Sequence, residues 1–136
     1  MTYNCALTID CVILAKDAVV LIKRKNPPFQ GQFALPGGFV EEDETVEAAC
    51  IREAKEETNL DLKNLKLIGV YSKPDRDPRG RVVSVAFLAE ADDINALKAG
   101  DDAKEIELVS DWQSKDLAFD HKQILFDALK LREREG

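Results

Sequence analysis

Histidine is almost missing from this chain: His121 is the one copy in 136 residues. Cysteine is scarce as well. Cys5, Cys11 and Cys50 are odd in number, sit in apolar stretches and show no CxxC spacing. With a single histidine and no CxxC pair to bring ligands together, a structural zinc site is not expected. The three cysteines read instead as buried thiols in a reducing cytosol. No apolar run approaches the ~18 residues of a membrane span. The opening MTYNCALTID lacks the basic and apolar regions of a signal peptide, so the expectation is a cytoplasmic protein with no membrane partner. Basic charge is in deficit, with 19 Lys and Arg against 26 Asp and Glu and a net charge of −7. That balance argues against bulk nucleic-acid binding. It leaves a phosphate substrate open, because a divalent metal reverses the local field.

Internal repeats, low-complexity tracts and linkers are also absent. What remains is 45% apolar and 33% charged, a soluble globular composition. The length suits a single domain over 1–136 with a real core. Residues 5–14 and 19–24 read as strands of one hairpin around the turn AKDA. KNPPFQGQ is a loop, and FAL leads into the breaker PGG. Residues 45–58 predict a helix with Thr45 as N-cap and Asn59 as a left-handed terminator. Val46, Ala49 and Cys50 form its apolar stripe, flanked by Ile51 and Ala54. Residues 65–72 and 81–91 predict strands, and IELVSDW a further one. Residues 117–133 predict a closing helix with Ile124, Leu125, Ala128, Leu129 and Leu131 inward. Trp112 and Phe119 read as core. Strands and helices mix without regular βαβ alternation, which implies a mixed sheet with helices packed on it.

The predicted first helix carries an unusual load. REAKEET, residues 52–58, puts Glu53, Glu56 and Glu57 on one face at offsets of three and four. Like charges at that spacing repel, so the face is either solvated or holds a cation. Hard carboxylate oxygens suit Mg²⁺ or Mn²⁺, and Mg²⁺ takes few protein oxygens beside water and phosphate. Arg52 would tie down one carboxylate. Gly37 and Gly38 allow close backbone approach, and a glycine carbonyl there could add a metal oxygen. Glu44 precedes the helix and could reach the same cluster.

The full spacing is more specific than the acids alone. Gly38, five residues, Glu44, seven residues, then Arg52-Glu53-Ala54-Lys55-Glu56-Glu57-Thr58-Asn59-Leu60 resembles the Nudix box, GX5EX7REUXEEXGU, here over 38–60. Ala54 stands where a larger aliphatic residue is usual, and Asn59 replaces the late glycine. Ala54 keeps its position apolar, and Asn tolerates the left-handed region. The resemblance implies an α/β fold, the Nudix α/β/α sandwich with a mixed β-sheet between helices. It implies Mg²⁺-dependent hydrolysis of a nucleoside diphosphate linked to some moiety X. It carries Glu53, Glu56 and Glu57 over as metal ligands, Gly38 as a backbone ligand, and Arg52 and Glu44 as orienting groups. The general base is left between Glu53 and a later acid, Asp101, Asp102 or Glu105.

The stretch YSKPDRDPRGRVVSVAFLAE, with Pro74 14 residues beyond Leu60, resembles the ADP-ribose pyrophosphatase branch. The expected products are then AMP and ribose 5-phosphate. Arg76, Arg79 and Arg81 offer planar donors for phosphate, ribose or a stacked base, and Pro74 fixes the loop's course. The plainer alternative is that these arginines pair with Asp75 and Asp77 as surface charges. Arg24 and Phe29 could border the same pocket. His121 reads as a structural hydrogen-bonder ahead of a proton shuttle. Two rival functions share the box. One is a house-cleaning nucleoside triphosphate pyrophosphohydrolase, which would favour triphosphates. The other is a non-catalytic ADP-ribose sensor, against which the intact box acids and the absence of residues for a second domain argue. The branch often forms homodimers, and no stripe in the sequence decides that point.

Overall fold

The computed structural model describes residues 4–98 and 105–135. Among them run β1 (Ala6–Ala15), β2 (Ala18–Lys23), β3 (Phe33–Ala34), β4 (Gly37–Phe39), α1 (Val46–Thr58), β5 (Leu62–Tyr71), β6 (Val82–Ala91), β7 (Glu105–Val109) and α2 (His121–Glu135). Single 3₁₀ turns occupy Ile94–Ala96 and Trp112–Ser114. Asp101 and Asp102, candidates for the base, lie outside the described residues.

The strands form a mixed sheet of order β3-β2-β1-β6-β5, with β4 also on β1 and β7 on β2. Among the described strands only the β1–β6 pair is parallel, in register from Ala6↔Val82 to Ile13↔Ala89. Strand β1 is the axis of the fold. Its alternation sends Ile9, Cys11 and Ile13 to the α1 side, where they meet Ala49, Cys50, Ala54 and Leu60. Val12 points the other way, into a cluster with Trp112, Ile124, Leu125 and Ala128 of the α2 side. Both faces of the strand are therefore buried, and a helix covers each face of the sheet: the α/β/α sandwich. Among the described residues no helix is long and apolar enough to cross a membrane.

Several boundaries and core assignments differ from the sequence reading. Helix α2 starts at His121 rather than 117. The preceding residues are taken by pairing, with a Phe33↔Leu117 bridge and the Ala118 N–H donating to the Phe33 carbonyl. Phe119 is therefore outside the core, with φ at 54°. Strand β5 starts at Leu62 and includes irregular steps between Lys63 and Lys66 and between Leu67 and Gly69. Asn64 sits left-handed at φ 56°, which breaks the alternation there. Ala54, expected on the flank of the α1 stripe, is fully buried at its centre, while Ile51 is 43% exposed. Cys5 is exposed, and only Cys11 and Cys50 are buried.

Candidate active site

Helix α1 begins and ends where its side chains dictate. The Thr45 hydroxyl accepts the Ala48 N–H at 3.1 Å. Asn59 closes the helix in the left-handed region at φ 65°, its N–H donating to the Lys55 carbonyl. These caps fix the face that carries Arg52, Glu53, Glu56 and Glu57. Opposite that face, β4 pairs antiparallel with β1 so that Gly38 faces Ile9 and Gly37 faces Asp10.

Both glycines are needed for close approach. A Cβ on Gly37 would sit against the Ile9 carbonyl oxygen. A Cβ on Gly38 would lie 2.6 Å from the Glu53 carboxyl carbon. The backbone thus runs directly past the acids, and the Gly37 N–H donates to Glu57 Oε2 at 3.3 Å.

Arg52 is the hub of the acidic cluster. Its Nε and NH2 form a fork on Glu44, at 3.0 and 2.7 Å. Its NH1 donates to Glu53 at 2.9 Å and to Glu56 at 3.2 Å, and NH2 also reaches the Phe39 carbonyl at 3.1 Å. The fork holds the Glu44 carboxyl well below its ordinary range, at about 2. Glu57 goes the other way. Burial first, and then the adjoining Glu53 carboxylate, push it up to about 9. Excess negative charge in a partly dry wall is what a dication would relieve.

Among the described residues no three acidic, imidazole or thiol groups close on one point. Glu53 and Glu57 face each other, and Arg52 draws Glu56 aside. Hard oxygens on one open wall fit a divalent cation that keeps water and substrate oxygens in its shell. The donor set therefore fits such an ion, with Glu53, Glu56, Glu57 and the Gly38 backbone as the groups that could hold it.

From Glu57, Gly37 and Gly38 a cleft of about 220 Å³ runs to Arg24, Arg79 and Phe119. At that far end the Arg24 and Arg79 guanidinium carbons lie 5.1 and 5.7 Å from the Phe119 ring centre. Arg79 also lies 5.4 Å from the Phe39 ring. Burial and then the nearby Arg79 charge lower Arg24 from its ordinary value. Two cations converging on one aromatic ring make a place for an anionic or flat, π-bearing group.

The floor between the two ends is polar and buried. Arg76 grips Asp120 with Nε at 2.9 Å and NH2 at 2.6 Å. Asp10 accepts from Ser84 at 2.5 Å and lies 3.2 Å from His121 Nε2. Burial works against ionisation of Asp10, yet His121, Ser84 and Arg76 together hold its carboxyl below the ordinary value.

The sequence-derived candidates divide accordingly. Arg24 and Arg79 line the cleft, with Arg79 braced by a fork on Asp77 at 3.1 and 2.8 Å. Arg76 lines it too, but its fork is spent on Asp120. Phe29 stands behind Phe119 in an edge contact at 4.8 Å. Two candidates lie outside the cleft lining. Pro74 is exposed and outside the lining, and Arg81 donates to the Ser72 carbonyl at 2.6 Å instead of entering the cleft. Glu105, a candidate base, is exposed on β7 beside Lys23 at 3.8 Å and lines no part of the cleft. Asp10, Ser84, Phe39 and Asp120 were missed. Asp10 left one signal, a carboxylate inside the strand TIDCVIL whose neighbours are all apolar or β-branched.

The NUDIX domain family model matches residues 6–129. Over 125 residues, 92% of this chain, the sequence is 53% identical to an ADP-ribose pyrophosphatase of Methanocaldococcus jannaschii and covers 73% of that protein. It is 33% identical over 134 residues, 90% of this chain, to the ADPR responsive transcriptional repressor NtrR of Acinetobacter baylyi, of which it spans 52%. Among solved structures, the NUDIX domain of Shewanella oneidensis NrtR complexed with ADP ribose aligns with a TM-score of 0.86 at 29% identity, covering 99% of this chain and 91% of that one.

Proposed function

The chain belongs to the NUDIX family, and from that premise we propose that it hydrolyses the pyrophosphate bond of ADP-ribose to AMP and ribose 5-phosphate, with Mg²⁺ as its metal and Mn²⁺ as a substitute. One observation carries this reading. A single cleft joins the Gly37–Gly38–Glu57 wall to the Arg24–Phe119–Arg79 end. A dinucleotide-like substrate needs both, a wall for its pyrophosphate and an aromatic, cationic end for a base or ribose phosphate.

Each residue then has a task. Glu53, Glu56, Glu57 and the Gly38 carbonyl would hold the metal, which when bound would draw charge off the phosphate oxygens and acidify water. Arg52, anchored by Glu44, keeps those carboxylates on one wall. Glu53 takes the proton of the attacking water, since it lies against Gly38 and beside Glu57. Arg24 and Arg79 orient the substrate, and Phe119 supplies the stacking face.

The similarity to NtrR supports a second reading, a module that binds ADP-ribose without cutting it. Turnover separates the two. Purified protein with Mg²⁺ is assayed against ADP-ribose, NADH, a diadenosine polyphosphate, dGTP and its oxidised form. Preferred cleavage of ADP-ribose with AMP as product supports the enzyme. A preferred triphosphate discards the substrate assignment, and ADP-ribose binding without cleavage selects the sensor.

A further inference from the structure

His121 is 4% exposed, and both of its ring nitrogens are engaged. The Leu35 N–H donates to Nδ1 at 3.0 Å. A nitrogen that accepts a hydrogen bond carries no proton, so in this arrangement the ring is neutral and its proton sits on Nε2. Nε2–H then donates to Asp10 Oδ1 at 3.2 Å. One side chain, at the first residue of α2, thereby holds two separate pieces of the cleft.

The first piece is the metal-side loop. Leu35 leads through Pro36, whose carbonyl accepts the Cys11 N–H at 2.8 Å, into Gly37 and Gly38. Gly37 donates to Glu57, and Gly38 lies flat on Glu53. A shift at Leu35 passes along two residues of stiff chain to the acids. The second piece is the cleft floor. Asp10 Oδ2 accepts from Ser84 and lies 3.8 Å from Arg76 NH2. Arg76 is itself clamped to Asp120, the residue before His121.

We propose that His121 is a positioning residue for this site. Its Nδ1 sets the place of the Gly37–Gly38 backbone relative to Glu53 and Glu57, and its Nε2–H sets Asp10 and through it the floor beside Arg76. The two limbs are separable by substitution. In His121→Asn the amide oxygen takes the place of Nδ1 and still accepts from Leu35, while the donor to Asp10 is lost. In His121→Gln the amide nitrogen takes the place of Nε2 and still donates to Asp10, while the acceptor for Leu35 is lost.

Three readouts are made on the wild type and both variants: amide hydrogen exchange at Leu35, Mn²⁺ binding by electron paramagnetic resonance, and kcat and KM for ADP-ribose. In H121N, Leu35 protection and Mn²⁺ affinity are retained, while KM for ADP-ribose rises about tenfold because Asp10 and the floor beside Arg76 lose their donor. In H121Q, Leu35 exchanges freely, Mn²⁺ binds about tenfold more weakly and kcat falls about 10- to 100-fold, the range for groups that orient metal ligands. Equal losses in both variants, or protected Leu35 with normal Mn²⁺ affinity in H121Q, would overturn the assignment. If neither variant folds, two-bond ¹⁵N–¹H spectra of the wild type decide: the Nε2–H tautomer is expected, and the Nδ1–H tautomer overturns it. Only the kinetic arm rests on the ADP-ribose reading. Absence of turnover in the wild type would sink that reading and leave the exchange, Mn²⁺ and tautomer arms to judge His121.

Discussion

Arg52 holds Glu44 with two parallel hydrogen bonds, Nε to Oε2 at 3.0 Å and NH2 to Oε1 at 2.7 Å. Eight residues separate the two in sequence, and the helix start lies between them. The planar fork fixes direction as well as distance, which a point charge cannot do. The free NH1 is then aimed at Glu53 and Glu56. Arg52→Lys is expected to keep the fold and lower kcat about 10- to 100-fold, because charge is retained and orientation is lost. Circular dichroism and steady-state kinetics together check this; a lysine variant with full turnover would reduce the fork to a surface ion pair.

The same fork has an acid signature. Glu44 is depressed from 4.5 to about 2, so its folded state holds the proton less tightly than its unfolded state. A depressed carboxyl contributes stability that is fully present above about 4.5 and is lost as pH falls toward 2. The Tm gap between wild type and Glu44→Gln should therefore be open at pH 6 and shrink to nothing near pH 2. A gap independent of pH would show that the fork does not act through charge.

Glu57 should behave in the opposite sense. Its folded value of about 9 lies above the ordinary 4.5, so the folded metal-free protein binds a proton that the unfolded chain releases. Stability of the metal-free protein is expected to fall as pH rises from about 5 to 9. Glu57→Gln should flatten that slope and abolish turnover. Metal binding needs the carboxylate, so Mg²⁺ uptake near pH 7.5 should release close to one proton, read by calorimetry in buffers of differing ionisation enthalpy. Uptake without proton release would place the metal away from Glu57.

The two glycines of β4 should fail differently. In Gly37→Ala the new methyl meets the Ile9 backbone carbonyl, which cannot move without the sheet. We expect a Tm loss of about 10 °C or more, or no folded protein. In Gly38→Ala the methyl meets the Glu53 carboxylate, the far end of a flexible side chain. That variant should fold with a near-normal Tm and lose turnover by about 100-fold as Glu53 is displaced. Matched losses of stability in the two would contradict this division.

Arg79 and Phe119 meet at the far end of the cleft. Arg79→Ala is expected to raise KM for ADP-ribose by about tenfold while kcat stays within about threefold. An unchanged KM would return Arg79 to its Asp77 partner as a surface pair.

The acidic wall was legible as a local arrangement because its residues are close in sequence and each obeys a local rule. Thr45 caps, Asn59 terminates, and the acids repeat at helical offsets. The cleft's floor obeys no such rule. Asp10 and Ser84 are 74 residues apart, and His121 and Leu35 are 86 apart. Only the parallel β1–β6 pairing and the docking of α2 bring them together. Arg76, Arg79 and Arg81 looked equivalent in RDPRGR, yet loop geometry puts Arg76 and Arg79 on the cleft, forked on Asp120 and Asp77, and turns Arg81 to the Ser72 carbonyl. Phe119 looked like core because it follows the apolar Leu117 and Ala118; the bridge from Leu117 to Phe33 turns it toward the cleft.

Strand β1 touches α1 with one set of side chains and the α2 side with the other. The wall proposed to take the pyrophosphate and the chamber proposed to take the rest of the ligand are thus built by different helices over one shared strand. Changes among Phe119, Asp120 and the loop before α2 can re-line the chamber while the odd-numbered side of β1 stays as it is. A scaffold divided in this way can trade one leaving group for another by drift on a single side, with its hydrolytic wall carried along intact.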